Sequence, residues 1–200
     1  MKVAVICPFP EYFAGTLAEH GDETVILGEA DMAYERLKND DIDAILVCGC
    51  ERRIPSDIIS SEIKCINVHF SILPYGRGPE PLLSSIVNGE PTGVTVFRMT
   101  DETDAGPIIG RKEFPMDPGC DTLRQLMDRA FDTAASLIKE IWGDIRAGRC
   151  CEEPQTGRGS SHDSKDADRI FGLAVGMSGK PVNEFLEKAG GIVMGSEIFL

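Results

Sequence analysis

The sequence has no uninterrupted apolar stretch near the ~18 residues that a bilayer-spanning helix needs, which argues against a membrane protein. Basic residues are scarce: 20 Lys and Arg against 33 Asp and Glu leave a formal charge of −13 over 200 residues. Affinity for nucleic acid comes largely from cations that neutralise phosphates, so a nucleic-acid partner is disfavoured, although a small local basic patch is compatible with this balance. Histidines number only three, and none is spaced with the cysteines as zinc ligands are. The seven cysteines are odd in number and irregular in spacing. Cys48-x-Cys50 and Cys150–Cys151 make no four-ligand set, so no metal is expected and the thiols are read as reduced. The first residues, MKVAVICPFPEYF, hold one lysine and a short apolar run before Pro8 and Glu11, which is not the pattern of a secretory leader. The expected setting is the cytoplasm. What remains is ordinary for a globular chain, 42% hydrophobic and 26% charged, and predicts a packed core in one domain with at most a small appendage.

Short β-branched runs alternate with helical patterns through the first half. Val3–Cys7, Thr24–Leu27, Ala44–Cys48 and Cys65–Val68 read as strands, and Tyr12–Glu19, Met32–Lys38 and Pro55–Ser60 as helices. The strand runs are continuously apolar rather than alternating, as in a parallel sheet buried on both faces. After the fourth strand comes a loop from His69 to Gly78 and a helix at Pro81–Val87. Strands at Val94–Met99 and Pro107–Phe114 are joined by so short a polar turn that an antiparallel pair is implied. Asp121 is placed to cap a long helix whose apolar positions, from Leu123 to Ile145, keep a 3–4 spacing. The expected fold class is therefore α/β, a mostly parallel Rossmann-like sheet with helices on both faces and an antiparallel extension. Residues 1–148 form the main domain in this reading. Residues 149–200 form a short extension: a polar loop over 151–168, a helix at Pro181–Lys188 and an apolar tail from Ile192. Such a tail must pack on the domain or on a second subunit, which leaves a homodimer open.

Polar groups gather at two places. Asn67 and His69 stand two apart at the end of the fourth strand, hence on one side of it. The turn Thr100–Gly106 holds Asp101, Glu102 and Asp104, and would face them across the strand ends. An amide and a protonated imidazole can donate hydrogen bonds to a developing oxyanion. A carboxylate such as Asp104 can charge the imidazole and take a proton from an incoming amine. No serine or cysteine nucleophile is needed. The same residues also suit a capped loop and a solvated turn.

The run Ile66-Asn67-Val68-His69-Phe70-Ser71-Ile72-Leu73-Pro74-Tyr75-Gly76-Arg77-Gly78 resembles the signature of the folate-dependent formyltransferases, Asn-x-His followed by Ser-(Leu/Ile)-Leu-Pro and a glycine. Gly93-Val94-Thr95, then Asp101-Glu102-Thr103-Asp104-Ala105-Gly106, resembles that family's second motif. Gly49-Cys50-Glu51-Arg52-Arg53-Ile54-Pro55 resembles its pterin loop. The resemblance implies direct attack of an acceptor amine on the formyl carbon of 10-formyltetrahydrofolate. Asn67 and His69 would hold the oxyanion, and Asp104 would orient and charge His69. The backbone at Arg53 and Ile54, with the turn holding Asp101 and Thr103, would hydrogen-bond the pterin, and Ile59 would line its pocket.

The acceptor is narrowed by departures from the family's branches. Glycinamide-ribonucleotide members have a glycine-rich turn after the first strand, where this chain has Cys7-Pro8-Phe9-Pro10-Glu11. Methionyl-tRNA members carry a further basic domain, and formyltetrahydrofolate hydrolases an extra N-terminal one. A nucleotide-linked amino sugar is the acceptor this elimination favours. A different amine, hydrolysis to formate and a folate-binding module without turnover are the alternatives. Phe70 stands where the family generally has proline, and either stacks on the acceptor or fills the site.

Overall fold

The protein is described from a computed structural model, which places residues 1–27, 37, 41–50, 52–190 and 197–199. Its elements are β1 (Lys2–Ile6), α1 (Glu11–Glu19), β2 (Glu23–Leu27), β3 (Ala44–Cys48), α2 (Ser56–Ile59), β4 (Lys64–His69), α3 (Pro81–Asn88), β5 (Gly93–Arg98), β6 (Ile108–Glu113), α4 (Leu123–Ala147), β7 (Gly159–Ser161), α5 (Ser164–Val175), α6 (Val182–Ala189) and β8 (Glu197–Phe199). Six strands form one sheet in the order β2-β1-β3-β4-β5-β6. The first four are parallel, while β5 runs antiparallel to both β4 and β6. This is the mostly parallel sheet with an antiparallel extension that the sequence predicts. The strand order reverses at β1 and β3, the place where an open α/β sheet leaves a crevice for ligands.

One face of the sheet packs Val3, Val5, Leu46, Ile66 and Val96 against Phe13 and Leu17 of α1 and against Leu126, Ala134, Ile138 and Trp142 of α4. The other buries Ala4, Ile6, Ile45, Val47 and Cys65 under Leu37, Ile42, Ile54 and Ile58. Helical cover on both sides explains why these strands are apolar throughout. The same cluster that holds α4 takes in Leu82 and Ile86 of α3, Ile170 of α5 and Val182 and Phe185 of α6.

Two expectations are corrected. Thr122, not Asp121, caps α4: its hydroxyl accepts from the Gln125 backbone while the Gln125 side chain accepts from the Thr122 backbone, 2.9 Å. This reciprocal box satisfies two end groups at once, and Asp121 is left to pair with Arg129 at 2.8 Å. The polar loop over 151–168 contains β7 and the start of α5. Its helical signal is faint because only the small Ala167 precedes Ile170 and Ala174 on the buried face, and Asp163 supplies the cap, accepting from Lys165 and Asp166. The turn over 100–106 does bring Asp104 to the carboxyl end of β4, as expected, but it starts from the other end of that strand. Antiparallel register sets Arg98 beside Ile66 and Thr95 beside His69, so the turn leaves the sheet near the start of β4, where Met99 N–H bonds to Cys65. The helix expected at 32–38 and the tail from 192 fall mainly outside the described residues. Within them, Leu37 is helical and Glu197–Phe199 pairs antiparallel with β7.

Candidate active site

At the end of β4 the alternation of a strand sends Ile66 and Val68 into the core and Asn67 and His69 to the opposite face. Asn67 is half-buried and pairs in register with Phe97. Among the described residues its side-chain amide has no hydrogen-bond partner. His69 is buried, 6% exposed, with its ring edge-on to Phe97 at 6.3 Å between centroids. Its Nε2 lies 2.9 Å from the Gly76 carbonyl. A carbonyl only accepts, so this contact places a proton on Nε2 and leaves Nδ1 for other work.

The loop that follows is fixed from beneath. The buried Thr95 hydroxyl donates to Ser71 O at 2.7 Å and accepts from Leu73 N–H at 3.0 Å, and Ser71 Oγ donates to Tyr75 O at 2.6 Å. At Gly78 the backbone has φ +107°, and a Cβ there would stand 2.5 Å from the His162 carbonyl. No other residue fits that place.

The turn after β5 bends back over this face and delivers Asp104, in a left-handed conformation with φ +50°, to the end of β4. One carboxylate oxygen accepts from Gly78 N–H at 2.9 Å. The other lies 3.8 Å from His69 Nδ1, wider than a direct hydrogen bond. The Arg53 guanidinium donates to the Asp101 carbonyl, tying the segment after β3 to the same turn. Ile54, expected to offer its backbone to the pterin, is wholly buried, while Ile59 and Met99 lie at the margin of the second core cluster. Asp101 and Thr103 are exposed on the turn. The structure thus joins Asn67, His69 and Asp104 in one place, and Arg53 to Asp101 beside it.

Phe70 turns away from the site. It is buried in the main core, edge-on to Phe131 of α4 at 4.8 Å, so it does not stack on an acceptor. The extension, by contrast, comes in. Ser160 N–H donates to Pro74 O at 3.1 Å, Arg77 N–H to Ser160 O at 3.0 Å and His162 N–H to Arg77 O at 3.1 Å. Gly76 N–H donates to Ser160 Oγ at 2.8 Å, and the Gln155 amide reaches both Arg77 and the Asp104 turn. His162 is buried with Nε2 against the Pro79 carbonyl. Burial, aided by the nearby His69 ring, pulls its pKa below the usual value, against the opposing pull of the Pro79 carbonyl, Asp104 and Asp166. The sequence offers no local signal for these contacts, which link residues 49 to 86 positions apart.

The Formyl transferase family profile matches residues 24–141. A dTDP-4-amino-4,6-dideoxyglucose formyltransferase of Mycobacterium bovis is 30% identical over 137 residues, 68% of this chain and 58% of that protein. A methionyl-tRNA formyltransferase of Phenylobacterium zucineum is 34% identical over 126 residues, 62% of this chain and 41% of that one. The match therefore spans 58% of the first of these curated relatives and less than half of the second. Among solved structures, the formyltransferase PseJ from Anoxybacillus kamchatkensis, in complex with UDP-4,6-dideoxy-4-formamido-L-AltNAc and tetrahydrofolate, superposes with a TM-score of 0.81 at 28% identity. That match covers 94% of this chain and 100% of PseJ.

Proposed function

The chain belongs to the formyl transferase family, and on that premise we propose that it moves the formyl group of 10-formyltetrahydrofolate to the amine of a nucleotide-linked amino sugar. The observation that carries the reading is the 3.8 Å space between His69 Nδ1 and Asp104 Oδ1, with Asn67 on the same face of β4. Relatives that act on a dTDP-linked sugar or hold a UDP-linked one support the choice of acceptor.

The residues present fit such a donor. Ile59 and Met99 offer an apolar margin to a flat ring, and the backbone at Arg53 and over residues 101–104 offers polar groups to its amide edge. The donor supplies the electrophilic formyl carbon. Asn67 donates a hydrogen bond where negative charge builds on the formyl oxygen, and His69, protonated at Nδ1, is the second donor. Groups so placed act most strongly in a site shielded from water. Asp104 stabilises the imidazolium and receives the proton that the amine gives up. Its Gly78 bond holds one oxygen still; the other would carry that proton until the bond between the formyl carbon and the folate nitrogen breaks, and would pass it to the departing nitrogen.

Calorimetric titration with a stable formyl-folate analogue, alone and with a panel of amino-sugar nucleotides, tests this directly. Folate binding strengthened by one sugar nucleotide, followed by formylation of that sugar, is the expected result. Formate release without any acceptor would instead identify a hydrolase, and no folate binding at all would defeat the proposal.

A further inference from the structure

Gln155 lies in the extension, outside every motif at the end of β4 and on the turn after β5, yet its side chain touches both. Its Oε1 accepts from Arg77 Nε at 3.1 Å and Nη2 at 2.7 Å. Its Nε2 donates to the Asp104 carbonyl and to the Gly106 carbonyl, each at 2.8 Å. Guanidinium groups only donate and carbonyls only accept, so the amide has one workable orientation, and in it all four bonding positions are filled. No less specific side chain would do this: a hydroxyl is too short and a carboxylate cannot donate.

The consequence falls on Asp104. Its left-handed backbone, φ +50°, is one that residues with a Cβ seldom hold unless their surroundings impose it. The Gln155 bond is made to the carbonyl of that same residue. Two residues on, Gly106 is pressed so closely on the Arg98 carbonyl that a Cβ has no room, with 1.8 Å between them, and its carbonyl takes the second bond. On its other side Gln155 steadies Arg77, which lies between Gly76, the partner of His69 Nε2, and Gly78, the partner of Asp104 Oδ2. Both partners of the catalytic pair are therefore spaced by one amide.

We propose that Gln155 is a positioning residue for the transfer step: by bridging Arg77 to the Asp104–Gly106 turn it sets the Asp104 carboxylate opposite His69 Nδ1, which makes residues 155–162 a working part of the site and not a linker. The kinetic arm of the test rests on the function proposed above; a second arm does not. Gln155→Glu keeps the acceptor for Arg77 and removes the donor to the turn, and Gln155→Met keeps the length with neither. Each is expected to lower kcat about tenfold or more, since small misplacements of a reacting group are costly, with the KM of the formyl donor changed less than about twofold. The thermal midpoint should stay within about 2 °C, a shift small for a chain of this size. In parallel, hydrogen exchange at the Gly78 amide, whose bond to Asp104 reports the carboxylate's place, should quicken about tenfold or more. Glu153→Gln, two residues away with its side chain on Arg111 at the surface, controls for general loosening and should change neither readout. Unchanged kcat in both Gln155 variants, or Gly78 exchange no faster than in the unaltered protein, would overturn the proposal. A protein that transfers no formyl group at all would defeat the proposed function and leave the exchange arm to decide the positioning.

Discussion

Asn67 and His69 make different demands on their surroundings, and substitutions should separate them. Asn67 presents a half-buried amide on the site face, so Asn67→Ala should cost turnover about 100-fold or more while sparing folate affinity, as when one oxyanion donor is removed. In the proposed mechanism His69 and Asp104 act as a pair, so His69→Ala combined with Asp104→Ala should cost little more than the worse single change. A double variant whose losses multiply would mean the two work independently. His162 gives a pH signature instead. Its pKa is lowered in the fold from the usual 6.5, so the unfolded chain binds the proton first as pH falls. The native state keeps its full margin above about pH 6.5 and loses it progressively below, down to the folded pKa. The thermal midpoint of the unaltered protein should therefore drop more between about pH 7.5 and 5.5 than that of His162→Gln, and equal drops would contradict the assignment. Asn67 and His69 are legible in the sequence because a strand's period of two puts them on one side. Gln155 is not, because nothing near position 155 signals that its partners lie at positions 77, 104 and 106.

Among the elements, α4 shows how a helix legible from its spacing still hides its anchor. Its apolar positions follow the 3–4 rule, and its side facing the sheet carries Trp142, fully buried. The indole N–H donates to Asp22 at 2.7 Å, and Arg146 one turn later lies 3.0 Å from the same carboxylate. Asp22, buried in the turn between α1 and β2, thus ties the sheet's edge to its bracing helix. Removing it strands an indole donor and an arginine, so Asp22→Ala should cost about 3 kcal/mol, or roughly 6–12 °C in thermal midpoint, whereas a surface pair such as Lys139–Glu19 should matter little. Differential scanning calorimetry of the two variants checks this, and similar midpoints would refute it. The strands and α4 were readable because burial on both faces, or on one stripe, writes itself into the residue pattern. α5 was not, since its buried face is built from alanines around a single isoleucine. The turn after β5 is legible in part: its length implies an antiparallel pair, but only the register tells which end of β4 it leaves before it bends back to bring Asp104 to His69.

At the scale of the whole chain, the question is whether residues 149–200 are a separate body. Ile170, Ala174, Met177, Val182, Phe185 and Ala189 belong to the same buried cluster as the sheet and α4, and β7 is sewn to the loop that carries Gly76 and Gly78. Apolar surface buried in one continuous core is lost or kept together. It follows that the extension should have no unfolding transition of its own. Phe185→Ala, which empties a fully buried site, should cost about 3–5 kcal/mol, as for a large side chain in a main core. Native-state hydrogen exchange should give the amides of α6 an opening free energy close to that of α4, and both should fall together in the variant. If α6 opened at much lower free energy while α4 kept its protection, the extension would be a separately stable flap, and the support it gives Asp104 would come and go with it. If they open as one, the site's geometry is as durable as the fold itself, because the segment that sets Asp104 opposite His69 cannot leave without unfolding the sheet's cover.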